Sequence, residues 1–171
     1  MSPPAPRVPL LTLSPRAEAR LTELGGEPIN LYRALANQPA LLEAWIEFTW
    51  ALRTRCRTSR GLRELMILRG AQIAGSDYQW QHHSVMATDA GVDGERIRKL
   101  DRWREEDIFT ASERAALAFT EMVMSGRVDE VVSAELAQHF DAAERVELTL
   151  TAGFYAMVPR VLDALGVPLE S

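Results

Sequence analysis

The chain of 171 residues has very few of the residue types on which several classes of protein depend. Its only cysteine is Cys56, which excludes an internal disulfide, a CxxC redox pair and a cysteine-rich zinc site. Its only lysine is Lys99, so Schiff-base catalysis would rest on one residue in a charged stretch. Histidine and glutamate are therefore the natural candidates for acid–base chemistry.

The chain also lacks an excess of positive charge and a long hydrophobic run. Its net charge of −5 creates no field that favours nucleic acid or an anionic membrane. No apolar run reaches the roughly 18 residues of a membrane span, and the N-terminus shows no secretion signal. With 47% hydrophobic and 25% charged residues, the composition is typical of a folded domain, and we expect a cytoplasmic protein.

Proline is concentrated at the N-terminus, where five of the nine prolines lie within the first 15 residues. This pattern predicts an extended arm over residues 1–13, followed by a single domain over residues 14–171. The arm is either a frayed tail or a segment laid on its own domain or a neighbouring subunit.

Helix signals follow one another along the rest of the chain, without an alternating strand pattern or an internal repeat. We predict an all-α bundle of about seven or eight helices. A kink is expected at Pro159 in the last helix, because proline removes a backbone hydrogen bond. A short helix or helical turn is also expected over residues 133–140. The residues expected to begin the other helices are Ser14, Pro39, Ser59, Ser76 or Asp77, Asp93, Thr110 and Asp141.

Apolar spacing predicts which helix faces point inward. Residues Leu41, Trp45, Phe48 and Leu52 recur at intervals of three and four and are expected to form one buried face. In the next helix the same argument places Leu62, Leu65, Met66 and Ile73 on the inner side.

The densest polar cluster covers residues 76–83, with the sequence SDYQWQHH, at the start of a predicted helix. Gln79 and His83 are four residues apart and share a helix face, with Ser76 at its N-terminal end. His82 points about 100° away from His83. Glu64 lies among apolar neighbours on the preceding helix, so a short connection between the helices would bring it to His83. A carboxylate on one imidazole nitrogen leaves the other free for proton transfer.

Simpler interpretations of these residues remain open. A lone histidine is more often structural or exposed than catalytic, and Glu64 is more often ion-paired, with Arg63 and Arg69 nearby. Tyr78 is more often a packing residue than part of a binding site. The diverging histidines argue against a metal site, and we expect neither a metal nor a cofactor.

Three stretches together resemble the carboxymuconolactone decarboxylase family, which includes the alkylhydroperoxidase D-like proteins. They are GLRELMILRGAQIAGSDYQWQHHSVMATDAGV (61–92), ERAALAFTEMV (113–123) and GFYAMVPRVLDALGVPLE (153–170). In peroxidase-like members a glutamate precedes a CxxC pair, and a histidine follows the second cysteine by four residues. Glu64 and His83 match these two, whereas Ser76 and Gln79 replace the two cysteines. Because a hydroxyl cannot cycle through sulfenic acid and disulfide states, the resemblance excludes thiol peroxidase activity here.

The resemblance implies an oligomer, commonly a trimer or hexamer, that acts on a small organic acid without a cofactor. The leading hypothesis is a decarboxylase-like lyase, of the kind found in aromatic compound catabolism, with His83 as the proton donor or base and Glu64 as its orienting partner. Ser76, Tyr78, Gln79 and Arg69 are candidates for substrate binding, although a structural ion pair is an equal expectation for Arg69. The alternatives are an isomerase, cyclase or dehydratase on the same scaffold, or a non-catalytic binding or assembly module.

Overall fold

The structure is a computed structural model that describes residues 5–170, and these residues form helices and connections without a β-strand. The all-α prediction is confirmed, with nine α-helices and one short 3₁₀ helix over Leu100–Arg102 in the described chain. None of these helices is long and apolar enough to cross a membrane. The α-helices are α1 Pro15–Glu23, α2 Asn30–Leu35, α3 Pro39–Thr54, α4 Arg60–Ala74, α5 Asp77–Asp89, α6 Gly94–Arg98, α7 Ala111–Ser125, α8 Glu130–His139 and α9 Ala142–Leu165.

The helix starts agree with the predicted caps. The side chains of Ser14, Ser59 and Ser76 each accept a hydrogen bond from the backbone N–H three residues further along. The side chain of Asp93 accepts one from the backbone N–H two residues further along. At Thr110 both halves of a capping box with Glu113 are present. Such caps satisfy backbone N–H groups that lack a partner within the helix, which is why these residue types mark the starts.

The number of helices differs from the prediction because of α2. This helix has six residues, and no side chain caps its N-terminus. It therefore lacks the start signal by which most of the other helices were predicted. The helix predicted over residues 133–140 begins three residues earlier, at Glu130, after its cap Asp129.

The described residues form two compact units, residues 5–55 with 160–170 and residues 56–159. In the first unit, Leu21, Leu42 and Ile46 are almost completely buried. The indole of Trp50 donates a hydrogen bond to the carbonyl of Leu24 (2.8 Å). A Cβ atom on Gly26 would overlap the Trp50 ring, so glycine is needed where the chain leaves α1. The expectation of one domain over residues 14–171 stays a prediction.

The described part of the N-terminal arm is laid on its own unit. The Arg7 amide donates to the carbonyl of Leu165 (2.9 Å), and the Leu11 amide donates to that of Arg33 (3.0 Å). The side-chain amide of Asn37 donates to the carbonyl of Pro9 (2.8 Å). Of the two alternatives for the arm, these contacts favour docking over fraying for residues 5–13, and residues 1–4 lie outside the described residues.

In the second unit, α4 lies at the centre and packs against both α5 and α7. One apolar cluster joins Leu65 and Leu68 of α4 to Leu117 of α7 and to the buried Trp103. A second cluster joins the opposite side of α4 to α7, α8 and α9, and its members include Leu62, Met66, Phe119, Leu136 and Leu148. Because α4 is buried on several sides, polar residues along it must find partners inside the protein.

Two predicted helix faces are wrong in part. On α3, Leu41 and Phe48 are exposed, whereas Leu42, Ile46 and Trp50 are buried. This helix carries two parallel apolar stripes, and spacing alone does not decide which one faces the core. On α4, Ile73 at the last turn is also exposed, although Leu62, Leu65 and Met66 are buried as expected. Pro159 lies inside α9 as expected, and the kink stays a prediction.

Candidate acid–base site

The connection between α4 and α5 brings the predicted polar residues together. Gly75 ends α4 in the left-handed conformation (φ 61°), which glycine adopts without steric cost. Ser76 follows at once and caps α5 by accepting a hydrogen bond from the backbone N–H of Gln79. With only two residues between them, the helices pack side by side, so residues of α4 face residues of α5.

Glu64 and His83 meet across this helix pair, as the sequence predicts. Nδ1 of His83 lies 2.7 Å from Oε2 of Glu64. Glu64 is completely buried, and His83 is 6% exposed. Charged groups are rarely buried without a compensating partner, so this carboxylate requires the contacts that it makes.

Arg60, which the sequence argument overlooked, completes the arrangement. Its guanidinium forms an ion pair with Oε1 of Glu64 from one turn earlier on α4. The two carboxylate oxygens therefore have different partners, Arg60 on one side and His83 on the other. The spacing of four residues was a usable signal, because side chains at i and i+4 are neighbours on a helix.

The contact with Glu64 indicates which ring nitrogen of His83 carries the proton. An ionised carboxylate only accepts hydrogen bonds, so Nδ1 carries the proton that points to Glu64. In the neutral ring, Nε2 then keeps its lone pair and is the nitrogen available for proton transfer. The imidazole also packs edge-on against the ring of Tyr155, with centroids 4.8 Å apart, which restricts its rotation. Tyr155 lies 72 positions after His83, and no local sequence signal connects the two.

Gln79 lies one turn before His83 on the same face of α5 and is 1% exposed. Its Nε2 donates a hydrogen bond to the backbone carbonyl of Tyr155 (3.3 Å), whereas its Oε1 has no hydrogen-bond partner among the described residues. Thus Glu64, Gln79 and His83 are brought together, with Ser76 at the adjacent helix start and its hydroxyl occupied as a cap.

The remaining predicted residues lie elsewhere. Tyr78 and His82 pack against each other on a different face of α5, with ring centroids 4.6 Å apart.

Arg69 binds Glu121 through Nε (2.8 Å), so the ion-pair alternative for this arginine is the one observed. Trp103 and Arg104 bind the same carboxylate. Burial raises the pKa of Glu121, but the hydrogen bonds from Arg104, Trp103 and Arg69 outweigh it and hold the pKa below its usual range.

Neither Cys56 nor the groove between α1 and α3 belongs to this site. Burial raises the pKa of the Cys56 thiol and outweighs the opposing charge of Arg63, so the thiol is protonated at neutral pH. A groove of about 370 Å³ lies between α1 and α3. The charged side chains that line this groove form ion pairs with each other, as Arg20 does with Glu47. We therefore assign no ligand to the groove. Residues 5–170 contain no group of three or more side chains arranged to hold a metal ion.

Comparisons with known proteins agree with this fold. A protein from Ralstonia eutropha JMP134 described as an alkylhydroperoxidase AhpD core has a TM-score of 0.83 and 18% identity, with 98% of this chain and 94% of that chain covered. The debrominase Bmp8, solved with 2,3,4-tribromopyrrole, has a TM-score of 0.80 and 19% identity, with 95% and 91% covered. The uncharacterized protein YnjA of Escherichia coli (strain K12) is 26% identical over 171 residues, which covers 98% of this chain and 93% of that protein.

The fold is thus that of the alkylhydroperoxidase D-like proteins, a class of all-helical proteins. The sequence model of the carboxymuconolactone decarboxylase family matches residues 39–122, which include Glu64, Gln79 and His83. Over this stretch the chain is similar to the family, and it lacks the paired thiols of the peroxidase-like members.

Proposed function

We propose that this protein is a cofactor-independent lyase of the decarboxylase type, acting on a small acid that is unsaturated or bears a carbonyl group. The observation that carries the proposal is the buried contact of His83 with Glu64, itself paired with Arg60. A histidine held in one tautomer by a carboxylate is suited to repeated proton transfer. The match to the family model supports an enzyme, and the missing thiols argue against peroxidase chemistry.

The reaction divides into two steps that this site can assist. The bond from carbon to the carboxylate breaks, carbon dioxide leaves, and the electron pair moves into the conjugated carbonyl as an enolate. Protonated His83 then donates its Nε2 proton to carbon and becomes neutral. Glu64 stabilises the imidazolium before the transfer, because its carboxylate faces the opposite nitrogen.

A second candidate is an isomerase, cyclase or dehydratase that uses the same histidine. Gln79 favours this second candidate, because its neutral amide occupies a position where a carboxylate could act as a second base. The debrominase Bmp8 has the same fold, so this fold also supports a reaction other than decarboxylation. The reaction of the present protein is therefore to be identified by direct assay.

Product analysis distinguishes these candidates. Incubation with a panel of unsaturated lactone acids, followed by mass spectrometry and a carbon dioxide assay, is expected to give a product lighter by one carbon dioxide. A product of unchanged mass would identify an isomerase or cyclase, and loss of water would identify a dehydratase. No turnover of any panel member would reject the lyase proposal and favour a binding module.

We further propose that the protein works as a homo-oligomer, a trimer or hexamer. Val146, Leu150 and Met157 support self-association, because they leave an apolar stripe on one face of α9 exposed. Light scattering after size exclusion at micromolar concentration is expected to show no stable 19.1 kDa monomer. A clean monomer would contradict the assembly and, with it, any site that a neighbouring subunit completes.

A further inference from the structure

The backbone carbonyl of Tyr155 lies four residues before Pro159 in α9. In an α-helix the N–H of residue i+4 donates to the carbonyl of residue i. The residue four positions after Tyr155 is Pro159, which has no N–H to donate. The side-chain amide of Gln79 donates to this carbonyl from α5, at 3.3 Å. Gln79 therefore replaces the hydrogen bond that Pro159 removes.

This contact determines which way the Gln79 amide is turned. A carbonyl oxygen only accepts hydrogen bonds, so the NH₂ group must face Tyr155 and Oε1 must lie at the other end of the planar amide. In the opposite orientation two acceptors would face each other. Oε1 is buried and has no partner among residues 5–170. A buried acceptor without a donor is unfavourable, and a ligand that supplies one gains from the pairing.

The surroundings of Oε1 define the donor that would bind there. His83 lies one turn further along the same face of α5, and both residues contact Tyr155. From α4, the Glu64 carboxylate contacts His83, and Arg60 forms an ion pair with the same carboxylate. An amide oxygen accepts from an O–H or N–H group, whereas it repels an anionic oxygen.

We propose that Pro159 fixes Gln79 as a hydrogen-bond acceptor, so that the site selects ligands with an un-ionised hydroxyl or N–H group close to the atom that reacts with His83. Pro159 and Gln79 are positioning residues in this scheme, and neither transfers a proton. The ligand specificity rests on the proposed function, whereas the coupling of the two residues can be measured without any ligand.

A double-mutant cycle on unfolding tests the coupling. Gln79→Met removes both hydrogen-bonding groups of the side chain at similar volume. In the wild-type background it removes the donor that Gln79 supplies to the Tyr155 carbonyl, whereas in the Pro159→Ala background the restored backbone N–H can replace that donor. We expect the effect of Gln79→Met on the unfolding equilibrium constant, measured in urea, to differ by about tenfold between the two backgrounds.

The control for this cycle is Pro39→Ala at the first turn of α3, where proline removes no helical hydrogen bond. Gln79→Met should have the same effect with and without Pro39→Ala. Equal effects of Gln79→Met with and without Pro159→Ala would overturn the proposed coupling.

A pair of matched ligands tests the selectivity. The probes are 4-hydroxybenzoate and 4-methoxybenzoate, which share a ring and a carboxylate and differ in the O–H donor. Binding is followed through the imidazole nitrogen resonances of His83. We expect about tenfold tighter binding of the hydroxy compound, a ratio near one in Gln79→Met, and an intermediate ratio in Pro159→Ala. Equal affinities in the wild type, an unchanged ratio in both variants, or no response of His83 to either probe would overturn the selectivity.

The lyase proposal and the acceptor-site proposal can be rejected independently of each other. A protein that selects the hydroxy probe but turns over no lactone acid would reject the lyase and keep the acceptor site. A protein that releases carbon dioxide but binds both probes equally would keep the lyase and reject the acceptor site.

Discussion

His83→Ala is expected to reduce kcat/KM for an accepted lactone acid by about 10²–10⁴-fold, the usual contribution of a positioned general acid or base. The reason is the arrangement around one ring: Glu64 occupies Nδ1, so Nε2 is the group that can exchange a proton with the substrate. The measurement is the rate of carbon dioxide release under subsaturating substrate, compared with the wild-type protein.

The neighbouring histidine provides the control for this variant. His82 lies next to His83 in the sequence but packs against Tyr78 on a different face of α5. His82→Ala is expected to keep kcat/KM within a factor of about two to three. If His83→Ala turned over substrate at the wild-type rate, His83 would be removed from the mechanism.

Glu64→Gln is expected to lower the free energy of unfolding by about 3 kcal/mol, at the lower end of the cost of breaking a buried ion pair. The amide has nearly the shape of the carboxylate, so packing is kept while the charge between Arg60 and His83 is lost. The value lies at the lower end because the Arg60 side chain is one-quarter exposed and retains part of its hydration. Urea unfolding at neutral pH measures the change.

A matched surface pair serves as the comparison for Glu64→Gln. Glu135 contacts His139 at 3.3 Å on α8, and its side chain is half exposed. The same chemical change there, Glu135→Gln, is expected to alter stability by less than about 0.5 kcal/mol, since exposed pairs contribute little. Similar losses in the two variants would contradict the structural importance of the buried carboxylate.

Much of the secondary structure follows from local signals in the sequence. Caps such as Ser59 and Thr110 act within one helical turn, and Gly75 ends α4 through its own conformational freedom. Such effects depend on a few neighbouring residues, so they are present in the sequence before any tertiary contact forms. The contact of Glu64 with His83 was also predictable, because a short connection forces α4 and α5 together.

The features that the sequence did not predict depend on tertiary packing. On α3 both Leu41 and Leu42 begin an apolar stripe, and only packing against the rest of the unit selects Leu42. Tyr155 reaches His83 from a helix far along the chain, so no spacing rule connects them. Pro159 could be recognised as an unusual residue in a helix, but its effect on Gln79 depends on which side chain lies opposite Tyr155.

Arg60 and Glu64 belong to the same helix, whereas His83 comes from α5, and this difference has a consequence for local opening. If α5 separates from α4 while α4 stays helical, the carboxylate loses its histidine but keeps its arginine, so no bare charge is left behind. Such an opening is less costly than one that also separates the ion pair. Amide hydrogens of α5 should therefore exchange with solvent deuterium earlier than those of the central part of α4.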